Sequence, residues 1–347
     1  MISYNSTARK SGQIVAVFGA SGHTGQFVIT ELLRRGLTPI AIARDAMRLS
    51  ALDFQDRGVE TRVATIENPE SLDRAFAGTS AVINCAGPFL DTAEPVIEAA
   101  LRARIHYLDV TAEQASALAN FEQYAIPASA AGIIAVPAMG FYGGLGDLLA
   151  TVSVGGWDEV DEICTAIALS NWEPTQGTRL TGKRNTARRL FIADGKLEPL
   201  PAPAPTSSWS FPEPFGCQDV VELPFTETVV IQQHIRVSTL HSYLNLAPLR
   251  DLKDKSTPPP KPIDEIGRSN QIFAIEVVAR KGSETNRIIA QGQDIYAITA
   301  PIVVEAVQRI LDGMVEERGV LAPGSIFDAM GFLQTLVPRY LTLKIKS

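Results

Sequence analysis

The sequence predicts an α/β protein in which a doubly wound parallel sheet is joined to a second domain with a mixed, largely antiparallel sheet. From Gln13 to Pro137, apolar runs of strand length alternate with helical patterns, as βαβ units require. Beyond Glu159, strand patterns follow one another with few helices between them. The chain has 347 residues, and single cores stop growing near about 250–300 residues, so we expect two lobes.

The first predicted strand is Gln13–Phe18, a nearly continuous apolar run that is typical of a parallel strand covered on both faces. A helix follows from about Thr24 to Arg35, because apolar residues recur there at helical spacing and Gly36 provides the stop. Pro39–Ala43 and Val59–Thr65 are the second and third predicted strands.

The remaining elements of the parallel sheet continue the same alternation. Asn68 as a cap and Pro69 at the first helical position mark the start of the next helix. The elements after it are strand Ala81–Cys85, helix Glu94–Arg104, strand His106–Val110, helix Ala112–Ala131 with an interruption at Pro127, and strand Ile133–Pro137.

The second half of the chain is predicted to be mostly strand and loop. Its strand candidates are Glu159–Leu169, Val220–Phe225, Ile235–Leu240, Gln271–Arg280 and Arg287–Gln291. Two proline-rich stretches, Pro199–Pro214 and Thr257–Pro262, are interpreted as loops or covering arms.

Composition indicates a soluble globular protein, with 46% hydrophobic and 20% charged residues. A net charge of −7 argues against a chain that coats nucleic acid, because that task needs a basic surface, so we expect a small-molecule partner. The apolar stretch Ala130–Gly156 contains Pro137 and several glycines, which favours a buried strand, turn and helix over a membrane span.

The cysteines and the N-terminus favour a cytoplasmic protein. Cys85, Cys164 and Cys217 are widely spaced and odd in number, which is typical of reduced thiols. Met1–Gly12 lacks the apolar core of a secretion signal. We also expect no metal site, since His234 and His241 have no ligand-type neighbours.

A glycine-rich turn, Gly19-Ala-Ser-Gly22-His-Thr-Gly25, lies between the first predicted strand and helix. The first glycine allows a sharp turn, the second lets backbone amides approach a pyrophosphate, and the third lets the helix pack closely on the strand. The anion would then meet the helix N-terminus. Further donors are expected from the side chains of Ser21, His23 and Thr24. The pattern therefore predicts a dinucleotide site, the alternative being a turn that serves packing alone.

The end of the second predicted strand, Ala43-Arg44-Asp45, bears on the choice of cofactor. NAD-binding chains place an acidic residue there to hold the ribose hydroxyls. Arg44 instead offers a planar guanidinium for a 2′-phosphate, with Arg48 one helical turn later. We therefore expect NADP(H). Two alternatives stay open: Asp45 could contact the ribose as in NAD-binding chains, and Arg44 could be a solvated charge in a loop.

Three more segments combine with this turn: Val82–Phe89, Tyr107–Glu113 and Gly140–Asp147. In this order and spacing the chain resembles the saccharopine dehydrogenase-like oxidoreductases, including the trans-acting enoyl reductases, well over residues 13–150 and more loosely at 292–313 and 319–336. The resemblance implies a Rossmann-type domain carrying an inserted mixed α/β domain, and NADPH as cofactor.

The expected domains follow from this resemblance. They are a dinucleotide-binding domain over residues 1–152, a substrate and dimerisation domain over 153–292, and C-terminal helices over 293–347 that return to the first domain. A homodimer is the expected assembly.

The loop after the fourth strand is expected to contact the cofactor, because ligands bind at the carboxyl ends of strands in open α/β sheets. Ala86, Gly87 and Pro88 have little bulk, so the loop can pass beneath the cofactor, and Phe89 can cover a ring. The alternative is a plain connection between strand and helix.

Candidate catalytic residues are Asp109 and Glu113, at the end of the fifth strand, and Tyr142 in the later glycine-rich stretch. These groups could orient the nicotinamide or move a proton. Alternatively, Asp109 and Thr111 could have a structural role and cap the next helix. Phe141 and Tyr142 depart from the small or polar residues that the resemblance implies.

A basic cluster, Gly177–Arg189, lies in the second domain, and Arg179, Lys183 and Arg184 are its candidate substrate-binding residues. It could hold an acidic or carrier-linked substrate or the cofactor phosphates, or form a solvated loop or subunit contact. Tyr340 and Lys344 match the YxxxK spacing of short-chain dehydrogenases, but their position at the extreme C-terminus indicates chance.

The sequence as a whole predicts an NADPH-dependent oxidoreductase that transfers hydride to a C=C, C=N or C=O bond of a small molecule. A non-catalytic NADP(H)-binding regulator is the alternative, because a nucleotide fold does not guarantee chemistry. A continuous apolar cleft beside the nicotinamide would favour the enzyme, and a closed surface would favour the regulator.

Overall fold

The computed structural model describes residues 13–346, so the expectation for Met1–Gly12 lies outside the described residues. The first part of the chain alternates strands with helices. Its strands are β1 (Ile14–Phe18), β2 (Thr38–Ala43), β3 (Glu60–Val63), β4 (Ala81–Asn84), β5 (His106–Asp109) and β6 (Ile134–Val136). Its helices are α1 (His23–Arg34), α2 (Ala46–Ser50), α3 (Pro69–Phe76), α4 (Phe89–Ala103), α5 (Gln114–Ala131), a π-helical turn (Phe141–Leu145) and α6 (Gly146–Val154).

The second part of the chain is richer in strands. They are β7 (Val160–Leu169), β8 (Leu190–Ala193), β9 (Lys196–Pro199), β10 (Thr206–Ser210), β11 (Cys217–Glu222), β12 (Val237–Asn245), β13 (Ile272–Lys281), β14 (Glu284–Gln293), β15 (Gly319–Val320) and β16 (Leu341–Lys346). The helices are α7 (Gln176–Arg184), α8 (Thr226–Gln232), α9 (Ala247–Lys253), α10 (Ile295–Leu311), α11 (Pro323–Ile326) and α12 (Ala329–Leu336).

The first sheet is parallel, with the strand order β15-β6-β5-β4-β1-β2-β3. The chain runs from β1 outward to β3 and then crosses back to place β4 on the other side of β1. Ligands bind at such a switch point, outside the carboxyl ends of the two central strands. The predicted doubly wound parallel sheet is confirmed.

The second sheet is mixed, with the order β10-β11-β12-β7-β13-β14-β16 and a short hairpin of β8 and β9 beside β12. Strands β12 and β7 run parallel, and their neighbours run antiparallel to them. The proline-rich stretch Pro199–Pro214 was expected to be a loop or covering arm, but it contains the edge strand β10, which pairs with β11. Phe211, directly after β10, packs in an apolar cluster with Ala166, Ala168 and Ala274. The mixed second domain expected from the sequence is therefore present.

The C-terminal segment ties the two sheets together. Helix α10 packs on α1, while α6 packs on β13 and β14, so apolar residues of both sheets share one core. Strand β15 extends the first sheet through β6, whereas β16 pairs with β14 in the second sheet. Residues 293–346 thus contact both sheets.

Two predictions about helices are wrong, one at the start of α4 and one within α5. Helix α4 begins at Phe89 rather than Glu94, because the carboxylate of Glu113 accepts hydrogen bonds from the N–H groups of Phe89 (2.7 Å) and Leu90 (3.4 Å). This contact between distant residues is invisible to local pattern. Helix α5 continues through Pro127 instead of being interrupted there.

No helix in residues 13–346 is long and apolar enough to cross a membrane. The stretch from Ala130 to Gly156, which resembled a span in composition, is divided among the end of α5, β6, the π-helical turn and α6.

His106 makes the stability of the first sheet dependent on pH. Its Nδ1 accepts the N–H of Ile134 (3.0 Å), and burial with the nearby Arg318 lowers its pKa from 6.5 to about 4. The unfolded chain therefore binds the proton more readily, and stability is lost as the pH falls from 6.5 towards 4.

We expect His106→Asn, whose amide oxygen can accept the same N–H, to remove this dependence. Relative to the variant, the wild type should lose about 2 kcal/mol of unfolding free energy across that range, after allowance for partial exposure. Urea denaturation at several pH values measures this difference. A constant difference between the two proteins would contradict the assignment.

Candidate active site

A cleft of about 690 Å³ opens where the carboxyl ends of β1 and β4 face the second domain. Clefts of this size hold cofactors and small ligands in many proteins. One end is lined by the glycine-rich turn and by Arg44 and Arg48, and the other by aromatic side chains, among them Tyr142 and Trp172. The switch point of the first sheet therefore carries a continuous groove with chemically distinct ends.

The glycine-rich turn is shaped for close backbone approach. Gly19 has φ +83°, and a Cβ there would lie 2.8 Å from the backbone nitrogen of Ala86. A Cβ on Gly25 would lie 2.4 Å from the carbonyl oxygen of Gly19, so this position requires glycine. Gly22 precedes α1 without a side-chain cap, which leaves the first N–H groups of the helix free to receive an anion.

His23 lies in the first turn of α1 and lines the cleft. Burial lowers its pKa, with the charge of Asp294 acting in the opposite direction, so the imidazole is neutral at pH 7. Its Nε2 is buried and has no hydrogen-bond partner within the described chain. Ser21, Thr24 and His23 all line the cleft, as the turn motif predicted.

The end of β2 separates the roles of its two charged residues. Asp45 caps α2, because its Oδ1 accepts the N–H groups of Met47 (2.9 Å) and Arg48 (3.1 Å). Arg44 is exposed and lines the cleft together with Arg48. The Asp45 carboxylate, which the sequence left as a possible ribose contact, therefore caps α2. The guanidinium of Arg44 is the charged group of this pair that lines the cleft.

The loop after β4 lies in the wall of the cleft, where Ala86, Gly87, Pro88 and Phe89 all line it. Asn84 fixes its start, since its Oδ1 accepts the N–H of Ala86 (3.0 Å). The carboxylate of Glu113 fixes its end through the N terminus of α4, as described above. Glu113 also borders the cleft, but both of its oxygens are held by backbone N–H groups. Its geometry is that of a positioning residue.

Asp109 is fully buried and does not line the cleft. Its Oδ1 accepts the N–H groups of Thr111 (3.0 Å) and Ala138 (2.8 Å), and Tyr107 donates its hydroxyl to Oδ2 (2.8 Å). Burial raises its pKa, and these hydrogen bonds act in the opposite direction. The expectation that Asp109 reaches the nicotinamide is corrected, because this carboxylate instead holds the ends of β5 and β6 together.

The far end of the cleft is an aromatic chamber formed by Tyr142, Trp172, Phe225 and Tyr296. The rings of Tyr142 and Phe225 stack with centroids 3.9 Å apart. Trp172 donates its Nε1–H to the hydroxyl of Tyr296 (3.0 Å), which places both rings. Flat apolar walls of this kind favour planar ligands.

Tyr142 is the second residue of the π-helical turn, a type of turn that is frequent at functional sites. Its hydroxyl is buried and has no hydrogen-bond partner among residues 13–346. Burial raises the pKa of Tyr142 well above its usual value of 10, so the phenol keeps its proton. A ligand that reaches this hydroxyl supplies a hydrogen bond that the free protein lacks.

The predicted substrate-binding residues of the basic cluster are not brought to the cleft. Arg179 donates to the carbonyl oxygens of Asp254 (3.2 Å) and Thr257 (2.7 Å), and Arg184 pairs with Asp91 (2.8 Å). Lys183 is exposed, and none of the three lines the cleft. The hypothesis is corrected: these side chains anchor α7 or face solvent.

A different member of that cluster, Arg189, does line the cleft. Its guanidinium carbon lies 4.5 Å from the centre of the Phe225 ring, and its Nη1 donates to the carbonyl oxygen of Pro224 (2.5 Å). Burial lowers its pKa, with Glu227 acting in the opposite direction. Its position in the cleft depends on β8, which the sequence did not predict.

The aromatic chamber was largely missed from the sequence. Phe225 was read as the end of a strand, and Trp172 and Tyr296 were not singled out. Their rings meet only because β7, the start of α8 and α10 converge on one point. The available signal was weak, namely large aromatic residues close to predicted strand ends. No cluster that could hold a metal ion occurs in the described part of the chain.

Residues 15–136 match the family described as Saccharopine dehydrogenase NADP binding domain. A Bos taurus relative named saccharopine dehydrogenase-like oxidoreductase is 29% identical over 146 residues, which cover 37% of this chain and 34% of that protein. An Arabidopsis thaliana relative, named "Probable mitochondrial saccharopine dehydrogenase-like oxidoreductase", is 31% identical over 142 residues, covering 37% and 31%. This chain thus spans about one third of the length of these relatives.

The solved structure of apo saccharopine dehydrogenase (L-Glu forming) from Saccharomyces cerevisiae is similar over 97% of this chain and 100% of that one, with a TM-score of 0.68. The two sequences are 14% identical, so this likeness concerns the fold. It extends the similarity from the first domain to the second. The resemblance stated from the sequence motifs is confirmed by these findings.

Proposed function

We propose that this chain is an NADPH-dependent oxidoreductase acting on a small molecule in the aromatic chamber, because residues 15–136 match the family described as Saccharopine dehydrogenase NADP binding domain. NADP(H) is the cofactor that this domain takes. The observation that carries the proposal is the unbroken cleft, which runs from the glycine-rich turn to Tyr142 and Trp172.

The residues present fit the cofactor. The free N–H groups at the start of α1 suit a pyrophosphate, and the guanidinium of Arg44 suits a 2′-phosphate. The tight contact between Gly19 and Ala86 leaves a surface without bulk at the point where the cofactor would cross from β1 to β4.

Bound NADPH supplies a hydride to a C=C, C=N or C=O bond. The protein must then hold the substrate flat and exclude water. It must also deliver a proton to the atom of that double bond that does not receive the hydride. The rings of Phe225 and Trp172 would hold the substrate, and the neutral phenol of Tyr142 would donate the proton, which solvent replaces.

The open chamber favours an enzyme over a regulator that only binds NADP(H). A sensor of the cofactor has no need of a ligand-sized aromatic cavity beyond the nucleotide. The proposal is tested by following loss of NADPH absorbance with a panel of activated alkenes, imines and carbonyl compounds. If none of them causes oxidation while NADPH binds tightly, the regulator becomes the better account.

Arg44→Ala is expected to raise the Kd for NADPH about 10- to 100-fold and to leave the Kd for NADH unchanged. The reason is that the variant loses a charge-assisted bond to the 2′-phosphate, which NADH does not carry. Fluorescence titration of both cofactors measures the effect.

Arg102→Ala is the matched control, since Arg102 pairs with Asp73 at an exposed site outside the cleft. It should bind both cofactors as the wild type does. Equal loss of NADPH and NADH affinity in Arg44→Ala would refute the assigned preference.

The homodimer and the cytoplasmic location expected from the sequence stay predictions. One relative carries "mitochondrial" in its name, and that word concerns the relative alone. Sedimentation of the purified protein and microscopy of a tagged chain are the corresponding measurements.

A further inference from the structure

We propose that the aromatic chamber takes a planar carboxylic acid and that Arg189 binds its carboxylate. This inference rests on the proposed function, since it names the substrate class of the same site. It is carried by one juxtaposition, in which a partly buried guanidinium lies against stacked aromatic rings in the wall of the cleft.

Arg189 is an unusual group to place in such a wall. A guanidinium has five N–H donors, and the protein engages Nη1 with the carbonyl oxygen of Pro224. Within residues 13–346 no carboxylate forms an ion pair with it. Burying a cation without a direct partner is costly, so a site of this kind is built to be completed by an anion.

Glu227 is the acidic residue whose charge acts on Arg189, but it is not a substitute for a bound anion. Glu227 is fully buried, does not line the cleft, and uses its Oε1 to accept the N–H of Phe225 (3.0 Å). Burial raises the pKa of Glu227, which favours its uncharged form. The positive charge of Arg189 therefore remains available to the cleft.

The geometry selects a carboxylate on a flat body. The planar fork of arginine matches the two oxygens of a carboxylate, whereas a phosphate of the cofactor already has α1 and Arg44 to meet it. The ring of Phe225 touches both the Arg189 guanidinium and the stacked ring of Tyr142. An unsaturated or aromatic acid can lie in the chamber beside this stack and Trp172 while its carboxylate meets Arg189.

The experiment compares acids with their neutral amides. Benzoate, benzamide, cinnamate and cinnamamide are titrated into the protein saturated with NADP⁺, and binding is followed by calorimetry. We expect at least one acid to bind about 10- to 100-fold more tightly than its amide, and Arg189→Met to abolish that preference.

Arg188→Met is the control, because it removes the same charge from the adjacent position, where the side chain is exposed and bonded to the carbonyl oxygen of Leu200. It should keep the preference for the acid. Arg189→Lys retains the charge near Glu227 and guards against a folding defect. It should still bind NADPH but lose most of the preference, since the planar fork is gone.

Three results would overturn the inference: equal binding of acid and amide, no saturable binding of either acid, or an unchanged preference in Arg189→Met. NADPH titration of each protein separates these outcomes from failure of the proposed function. Loss of acid recognition with intact NADPH binding concerns Arg189 alone, whereas a wild-type protein that does not bind NADPH contradicts the function itself.

Discussion

Tyr142→Phe is expected to lower kcat about 10²- to 10⁴-fold while the Kd for NADPH stays unchanged. The substitution removes only the hydroxyl, which is the one group of that side chain able to donate a proton. Phenylalanine keeps the stacking on Phe225 that shapes the chamber. Stopped-flow measurement of NADPH oxidation, with the compound selected by the oxidation panel, separates the chemical step from binding.

The pH dependence of kcat provides a second test of the role of Tyr142. Because burial holds the pKa of Tyr142 well above 10, the wild type should show no loss of kcat from this group as the pH rises through 9. Tyr243→Phe is the control, since Tyr243 lies on β12 and does not line the cleft. A Tyr142→Phe enzyme with wild-type kcat would remove the tyrosine from the chemistry.

Gly25→Ala is expected to raise the Kd for NADPH more than about 100-fold and to destabilise the first domain by several kcal/mol, roughly 2–4. The new Cβ would meet three backbone atoms within 3.0 Å, the nearest being the carbonyl oxygen of Gly19 at 2.4 Å. Backbone atoms cannot rotate away as a side chain can. The turn must open, and the N–H groups that we propose receive the pyrophosphate move with it.

Gly156→Ala is a suitable control, because nothing lies within 4 Å of a Cβ built at that glycine. It should bind NADPH normally and unfold at close to the wild-type temperature. Calorimetric titration and thermal denaturation measure the two effects on each variant. Normal NADPH binding by Gly25→Ala would show that the turn tolerates opening and that the pyrophosphate does not depend on it.

The first sheet was predictable because its information is local. Strands covered on both faces produce apolar runs, and the helices between them carry caps and stops that short stretches reveal. Even there, the start of α4 was misplaced by five residues, since the cap comes from Glu113 across the fold. The sequence predicted that the second sheet is mixed but did not predict its strand order. The reason is that strands distant in sequence can pair without any local sequence pattern that identifies the partner.

The cofactor site, like the first sheet, depends on local sequence, whereas the aromatic chamber depends on contacts between residues distant in sequence. The glycine-rich turn and Arg44 lie within one βαβ unit, so the sequence by itself was enough to predict a dinucleotide site there and NADP(H) as the cofactor. Arg189, Phe225 and Trp172 come from separate elements, and only the tertiary structure decided that they face one cavity and that Asp109, Arg179 and Arg184 do not. The physical reason is that a phosphate is held by a single turn and its helix, whereas a substrate chamber is made of side chains that only packing brings together.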